Sequence, residues 1–344
     1  MRVLSLFDGM SCGQLALQKA GIKVDKYFAS EIDKYAIKVT QSNFPGTVQL
    51  GDVQGVTSDQ VGEIDLLIGG SPCQGFSFAG KQLNFDDPRS KLFFEYVRLL
   101  KELKPKYFLL ENVRMKKESQ DVISKYLGVE PIAINSSLVS AQNRYRLYWT
   151  NIPNVTEPED KGIVLQDILE DGVTDRDKSH CIDANYFKGG NLKSYFEKHR
   201  RQLVFSKDGL CHIGDADIKG NDTVRRVYHP EGKSPTLTTM GGGHREPKVL
   251  QINPSKKAGG KQPYMQDRVF DLRGKSHALT ASFAERTNVG GEGMEWRKLT
   301  PLECERLQTV PEGYTDHVSN TQRYRMLGNG WTVDVIAHIF GGIE

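Results

Sequence analysis

Residues 64–77, IDLLIGGSPCQGFS, decide the fold. The apolar opening, 64–68, reads as a buried parallel strand. Gly69-Gly70 ends the run, and Ser71-Pro72 stops regular structure. Cys73 is thereby expected on a tight loop at the carboxyl end of a core strand, the edge of an open α/β sheet where ligands bind. A cysteine on a rigid turn, beside glycines that admit a close substrate, suggests a nucleophile. A lone cysteine is more often a small buried hydrophobe, so its neighbours in the fold must decide.

Towards the N-terminus, residues 3–7 form a short apolar strand that breaks at Asp8-Gly9. Cys12-Gly13 then leads into a helix with apolar Leu15, Ala16, Leu17 and Ala20. Strand, glycine turn and helix present backbone N–H groups and a helix N-terminus to a ligand. The next strand, near 26–30, ends in Glu31, which lies 22 positions after Gly9. That is close to the roughly 20 expected for a carboxylate gripping ribose hydroxyls. A third strand, around 48–50, ends in Gly51-Asp52-Val53, where Asp52 can accept from an adenine amino group and Val53 can pack on the ring. A nucleoside cofactor across these three strands is the expectation; the alternative makes Glu31 and Asp52 ordinary turn carboxylates.

Beyond Cys73, residues 75–90 lack periodicity and read as a long loop, a length often used for lids. Residues 92–103 keep helical spacing through Leu92, Phe93, Tyr96, Val97, Leu100 and Leu103. A second buried strand, 107–110, ends in Glu111-Asn112-Val113. A right-handed crossover brings Cys73 and Glu111 to one sheet edge. A carboxyl at such a partly dry edge can act as an acid near neutral pH. Residues 132–139 look strand-like, and the following alternation puts Gln142, Arg144 and Arg146 on one face. Two cations there would favour a thiolate and hold a polar substrate.

The 344 residues suffice for two domains at roughly 100–200 residues each. No apolar run approaches the roughly 18 residues of a membrane span, and the N-terminus runs directly into the strand–turn–helix pattern rather than a signal peptide. The five cysteines (Cys12, Cys73, Cys181, Cys211, Cys304) form no CxxC pair. That argues against a disulfide framework or a structural zinc site and for a reducing compartment. Net charge is only +3, yet residues 175–275 carry 20 Lys and Arg against 12 Asp and Glu. A basic middle between near-neutral or acidic flanks suits a polyanion partner, although charge alone slightly favours an ordinary solvated surface.

Taken in order, FDGMSCG (7–13), Glu31, Gly51-Asp52-Val53, GGSPCQGFS (69–77), ENV (111–113) and QNRYR (142–146) resemble motifs of the cytosine-C5 DNA methyltransferases. RKLTPLECERLQTVP (297–311) and RMLGNGWTVDVIAHIF (325–340) resemble that family's last two motifs. The resemblance covers most of the chain outside the basic middle. Two departures, Ser11 where bacterial members usually carry a second glycine and Gly330-Trp331 after Asn329, lean towards the eukaryotic de novo branch. The resemblance implies an α/β fold, a Rossmann-like S-adenosylmethionine-dependent methyltransferase sheet with a smaller, loop-rich β target-recognition domain. Residues 1–150 plus 296–344 would form the catalytic domain and 151–295 the recognition domain. It implies Cys73 as nucleophile, Glu111 as acid, and Arg146 and Arg144 at the cytosine pocket, with Pro72 and Asn112 shaping the turns. S-adenosylmethionine would lie against Phe7, Asp8, Gly9, Glu31, Ile32, Asp52, Val53, Pro72, Leu92, Asn329, Gly330 and Val333. No metal is required. Double-stranded DNA is the implied partner, the target base flipped out, with Ser77, Lys81 and Gln82 closing behind it. A monomeric cytoplasmic enzyme of bacterial or phage origin, in some systems beside a cognate restriction endonuclease, completes the expectation.

The basic middle holds an internal repeat: RVYHPEGKSPTLTT starts at Arg226 and RVFDLRGKSHALTA at Arg268, an offset of 42. Each copy reads as strand, glycine-centred turn, strand. Family members keep a Thr-Leu pair like Thr236-Leu237 in the recognition region. The residues after each copy differ, so Arg245 and Arg286 are candidates to read guanine edges. Rival readings are a tRNA-type C5 methyltransferase sharing these motifs and a non-catalytic DNA-binding homologue. The intact Cys73, Glu111 and Arg146 set argues against the second.

Overall fold

The computed structural model describes residues 1–71, 88–198, 200–206 and 296–344, with three short strands at 212–215, 226–228 and 248–249. The described chain divides into two compact units. The first comprises Met1–Ile163, Ile182–Phe187 and Pro301–Glu344; the second comprises Val164–Cys181 and Lys188–Thr300.

The first unit is built on a seven-stranded sheet. Its strands are β1 (Arg2–Leu6), β2 (Lys26–Ser30), β3 (Val48–Gln49), β4 (Leu66–Gly69), β5 (Tyr107–Val113), β6 (Ile132–Asn135) and, after a two-residue β7 (Gln142–Asn143), β8 (Tyr145–Thr150). They lie in the order β3-β2-β1-β4-β5-β8-β6. β8 alone runs antiparallel to its neighbours. The helices α1 (Cys12–Lys19), α2 (Lys34–Asn43), α3 (Ser58–Val61), α4 (Pro88–Leu103) and α5 (Lys117–Leu127) supply the crossovers. The parallel strands are apolar on both faces because helices cover both. On one face Leu4, Leu6, Phe28, Leu67, Phe108 and Leu110 form a core with Phe93, Tyr96, Val97 and Leu99 of α4 and Ile123 and Leu127 of α5. The other face carries Ser5, Ala29, Ile68 and Leu109 in register. Against it lies the N-terminus of α1: a Cβ on Gly13 would sit 2.4 Å from Ile68 Cδ1. The final helix, Val333–Phe340, packs on α1.

Three expected boundaries change. The strand expected over 132–139 stops at Asn135, whose side chain accepts from Ser137 N and Arg144 N and turns the chain into a 3-10 turn at Ser136–Leu138. The loop expected over 75–90 ends earlier, because α4 begins at Pro88, proline being favoured in a first helical turn. β5 extends through Val113, so Glu111 lies within the strand, past its pairing with β4.

In the second unit, Leu203–Phe205 pairs antiparallel with Trp296–Lys298. Val173, Tyr195, Leu203 and Phe205 form its small core. Residues 226–228, the first strand of the repeat, pair antiparallel with 212–215 and parallel with 248–249. The rest of both repeat copies lies outside the described residues. Among the described residues no helix is long and apolar enough to cross a membrane.

Candidate active site

Strand register determines what Glu111 meets. Glu111 pairs with Tyr148, and Val113 with Arg146, across β5 and β8. Arg146 is therefore a diagonal neighbour of Glu111 on the same face, within reach of a long side chain. Its Nε lies 3.1 Å from Glu111 Oε1. The face is also the one covered by α1 and the final helix, and Trp331 lies two residues before that helix, next to its N-cap Thr332. Its indole Nε1 donates to Glu111 Oε2 at 3.1 Å. Gly70 leaves the room for this bond: a Cβ there would lie 3.1 Å from both Glu111 Oε2 and Trp331 Nε1. The pair Glu111–Arg146 is mostly withdrawn from water, with side chains 12% and 14% exposed.

Asn112, buried beside Glu111, donates to the carbonyl and hydroxyl oxygens of Ser71 at 3.3 and 3.4 Å. Ser71, two residues before Cys73, is thus tied to β5. Pro72, Cys73, Ser77, Lys81 and Gln82 lie outside the described residues, as do Thr236, Arg245 and Arg286. Of the other cysteines, Cys12 and Cys304 are buried and Cys181 is exposed. Burial pushes the Cys12 thiol up to about 12, so it stays protonated and is no rival nucleophile.

Arg144 and Gln142 are buried. The Arg144 guanidinium donates to the carbonyls of Ile182, Gly328 and Gly330 at 3.1, 3.1 and 2.8 Å. Gln142 Nε2 donates to Leu307 O at 2.8 Å and Gln308 Oε1 at 3.0 Å. Arg144 thus holds the segment leading to Trp331, and Gln142 holds the end of the helix Pro301–Leu307.

At the ends of β1–β3 a second acidic site forms. Phe7, Gly9 and Ser11 all take positive φ, at 57°, 59° and 60°. This conformation is unfavourable for a residue with a Cβ. Ser11, the departure from the glycine pattern, is held there because its hydroxyl donates to the Asp8 carboxylate and accepts from Gln14 Nε2 at 3.1 Å. Tyr27 Oη donates to Asp8 at 2.8 Å, so this carboxyl is engaged inside the unit. Burial pushes Asp8 up to about 6, its hydrogen bonds and Glu31's charge being smaller influences.

The turn aims Gly9 N–H at Glu31 Oε2, 2.7 Å away, while Ile32 N and Asp33 N donate to Oε1 at 2.8 Å each. A carboxylate oxygen accepts about two bonds, so Oε2 keeps a free position for a ligand hydroxyl. Ile32 next to it is 76% exposed, an apolar surface without cover. Asp52 is exposed and caps the turn Val53–Gly55 through Gln54 N at 3.0 Å, with Val53 buried beneath. A free acceptor, an uncovered aliphatic side chain and an exposed carboxylate at adjacent strand ends fit a ribose and an adenine. Leu92 is half-buried against the α4 core, Asn329 is exposed, and Gly330 and Val333 sit beside the Arg144 carbonyl contacts. The sequence named Trp331 only as a departure, and nothing local tells that it reaches Glu111.

The family described as C-5 cytosine-specific DNA methylase matches residues 1–344 of the chain. An orphan methyltransferase of Bacillus phage SPbeta, M.SPBetaI, is 30% identical over 430 residues, covering 99% of this chain and 96% of the relative. The type II methyltransferase M.BanI of Aneurinibacillus aneurinilyticus is 28% identical over 416 residues, covering 98% and 94%. Among solved structures, a putative DNA modification methyltransferase encoded within an E. coli prophage superposes with a TM-score of 0.55 at 21% identity, covering 99% and 97%. Dnmt2 of S. pombe gives 0.54 at 18% identity, also covering 99% and 97%. At these identities the structures speak for the fold.

Proposed function

The chain belongs to the C-5 cytosine-specific DNA methylase family, and from that premise we propose that it methylates C5 of a cytosine flipped out of duplex DNA through a covalent bond to Cys73. The observation that carries this reading is Glu111, gripped at both oxygens on the strand whose Asn112 ties down Ser71, two residues before Cys73.

Cytosine C5 is a poor nucleophile until something adds at C6. Cys73, as thiolate, forms the S–C6 bond, and the electrons of the 5,6 double bond move into the ring. Glu111, carrying a proton, donates it to N3 as negative charge builds there. Arg146 holds the O2 side. S-adenosylmethionine, when bound, supplies the methyl group as a sulfonium to the activated C5. A water then takes the proton from C5, the C6–S bond breaks to return the thiolate, and Glu111 recovers the N3 proton. Glu31 would hold the ribose and Ile32, Asp52 and Val53 the adenine, with Phe7, Asp8, Gly9, Pro72, Leu92, Asn329, Gly330 and Val333 lining the remainder.

The segment 151–295 would meet the duplex. Its basic residues suit phosphates, Arg245 and Arg286 suit guanine edges, and Ser77, Lys81 and Gln82 fill the space behind the flipped base. Bisulfite sequencing of DNA and RNA from a methylation-free host expressing the protein tests the reading. We expect methylated cytosine at one fixed DNA sequence. Methylation confined to RNA would move the substrate to that class, and none in either would overturn the reading.

A further inference from the structure

Glu111 is held from two sides, and only one of them is the arginine. A carboxyl rotates easily about its last torsion, so a single donor leaves the other oxygen free to swing. Arg146 fixes Oε1 and the Trp331 N–H fixes Oε2, at 3.1 Å each. We infer that Trp331 is a positioning residue for methyl transfer, orienting the Glu111 carboxyl towards the target ring. This rests on the cytosine methyltransferase reading and deepens it.

The chemistry of the two partners supports this role. Indole N–H and guanidinium donate and cannot accept. A proton on Glu111 therefore has no route to either neighbour, and the substrate ring is its acceptor. A histidine or carboxylate at position 331 would offer the proton a competing site.

The indole is also presented rigidly. Gly330 O accepts from Arg144 Nη2 at 2.8 Å and Gln308 Nε2 at 3.1 Å. Thr332, buried, donates to Gln308 Oε1 at 2.9 Å, and Val333 N donates to Gln308 O at 3.0 Å. Both residues flanking Trp331 are thus pinned, Gly330 by part-buried hydrogen bonds and Thr332 by a buried one. Arg144 acts at one remove, through this segment, and Gly70 keeps the space between indole and carboxyl open.

Trp331→Phe keeps an aromatic ring in place and removes the N–H. Single-turnover transfer of tritiated methyl from saturating S-adenosylmethionine to saturating genomic DNA of a methylation-free host should slow about tenfold, the upper end of what one lost hydrogen bond costs. Affinity for S-adenosylmethionine and DNA should stay within about twofold, and adding Trp331→Phe to Glu111→Gln should cause no further slowing. A Trp331→Phe rate within about twofold of the unaltered protein overturns the inference. So does equal slowing in the Glu111→Gln background, or a defect confined to S-adenosylmethionine affinity. Inactivity of the unaltered protein in the same assay would instead remove the methyltransferase reading, and the inference with it.

Discussion

Two glutamates near one edge of the same sheet, Glu31 just past β2 and Glu111 within β5, are held by different means. Glu31 is gripped by backbone, through the amides of Gly9, Ile32 and Asp33. Glu111 is gripped by side chains, through Arg146 and Trp331. Backbone amides are fixed by the turn, so the first carboxylate is a rigid socket suited to binding. Side-chain donors come from separate elements, β8 and the segment before the final helix, so the second is set by tertiary packing. Its partners can be exchanged one at a time. The difference separates a residue that holds a ligand still from one that must give and recover a proton.

The largest effect expected from breaking this contrast falls on the second site. Glu111→Gln removes the acid and should slow methyl transfer by about 3–4 kcal/mol, a factor of hundreds to a thousand, while S-adenosylmethionine affinity measured by calorimetry stays unchanged.

Next comes Asp8, under the turn that holds Glu31. Its carboxyl rises from 3.8 to about 6 in the fold. Between these values the folded chain keeps a proton that the unfolded chain has released, so stability falls as pH rises through the window and levels off above it. The full difference is up to about 3 kcal/mol. Denaturant unfolding at both ends of the window should show Asp8→Asn gaining on the unaltered protein as pH rises; parallel curves would mean that the carboxyl is not enclosed.

Glu31→Gln turns an amide N–H₂ towards the Gly9 N–H or away from the ligand. It should weaken S-adenosylmethionine binding by about 2 kcal/mol, with the rate at saturation retained. Smallest is Gly70→Ala, whose Cβ would press on Glu111 and Trp331 together. It should slow transfer by about 1 kcal/mol and leave cofactor affinity alone.

The strands β1, β2, β4 and β5 were legible because apolar runs ended at Gly or at acidic residues, which a parallel sheet buried on both faces produces. The break at Asn135 had a signal in Asn135-Ser136-Ser137, three turn-favouring residues, hidden between the apolar residues on either side. The start of α4 at Pro88 had a local signal in that proline, masked by the polar stretch before it. The alternation over Gln142, Arg144 and Arg146 singled out three residues that the fold withdraws wholly or largely from water. It could not show that Arg144 binds three carbonyls while Arg146 takes the carboxylate. Nor could 220 residues of separation show that Trp331 meets Glu111. Such contacts arise from packing between elements and leave no periodic trace.

Trapping the covalent step is the most direct measurement. Duplex DNA with 5-fluorocytosine in the methylated sequence should stop the reaction after methyl transfer, because fluorine cannot leave C5 as a proton does. The account predicts a stable protein–DNA complex whose digest carries the nucleotide on Cys73, formed far more slowly by Glu111→Gln. A complex linked through any other residue, or none from a protein that methylates ordinary DNA, would contradict it.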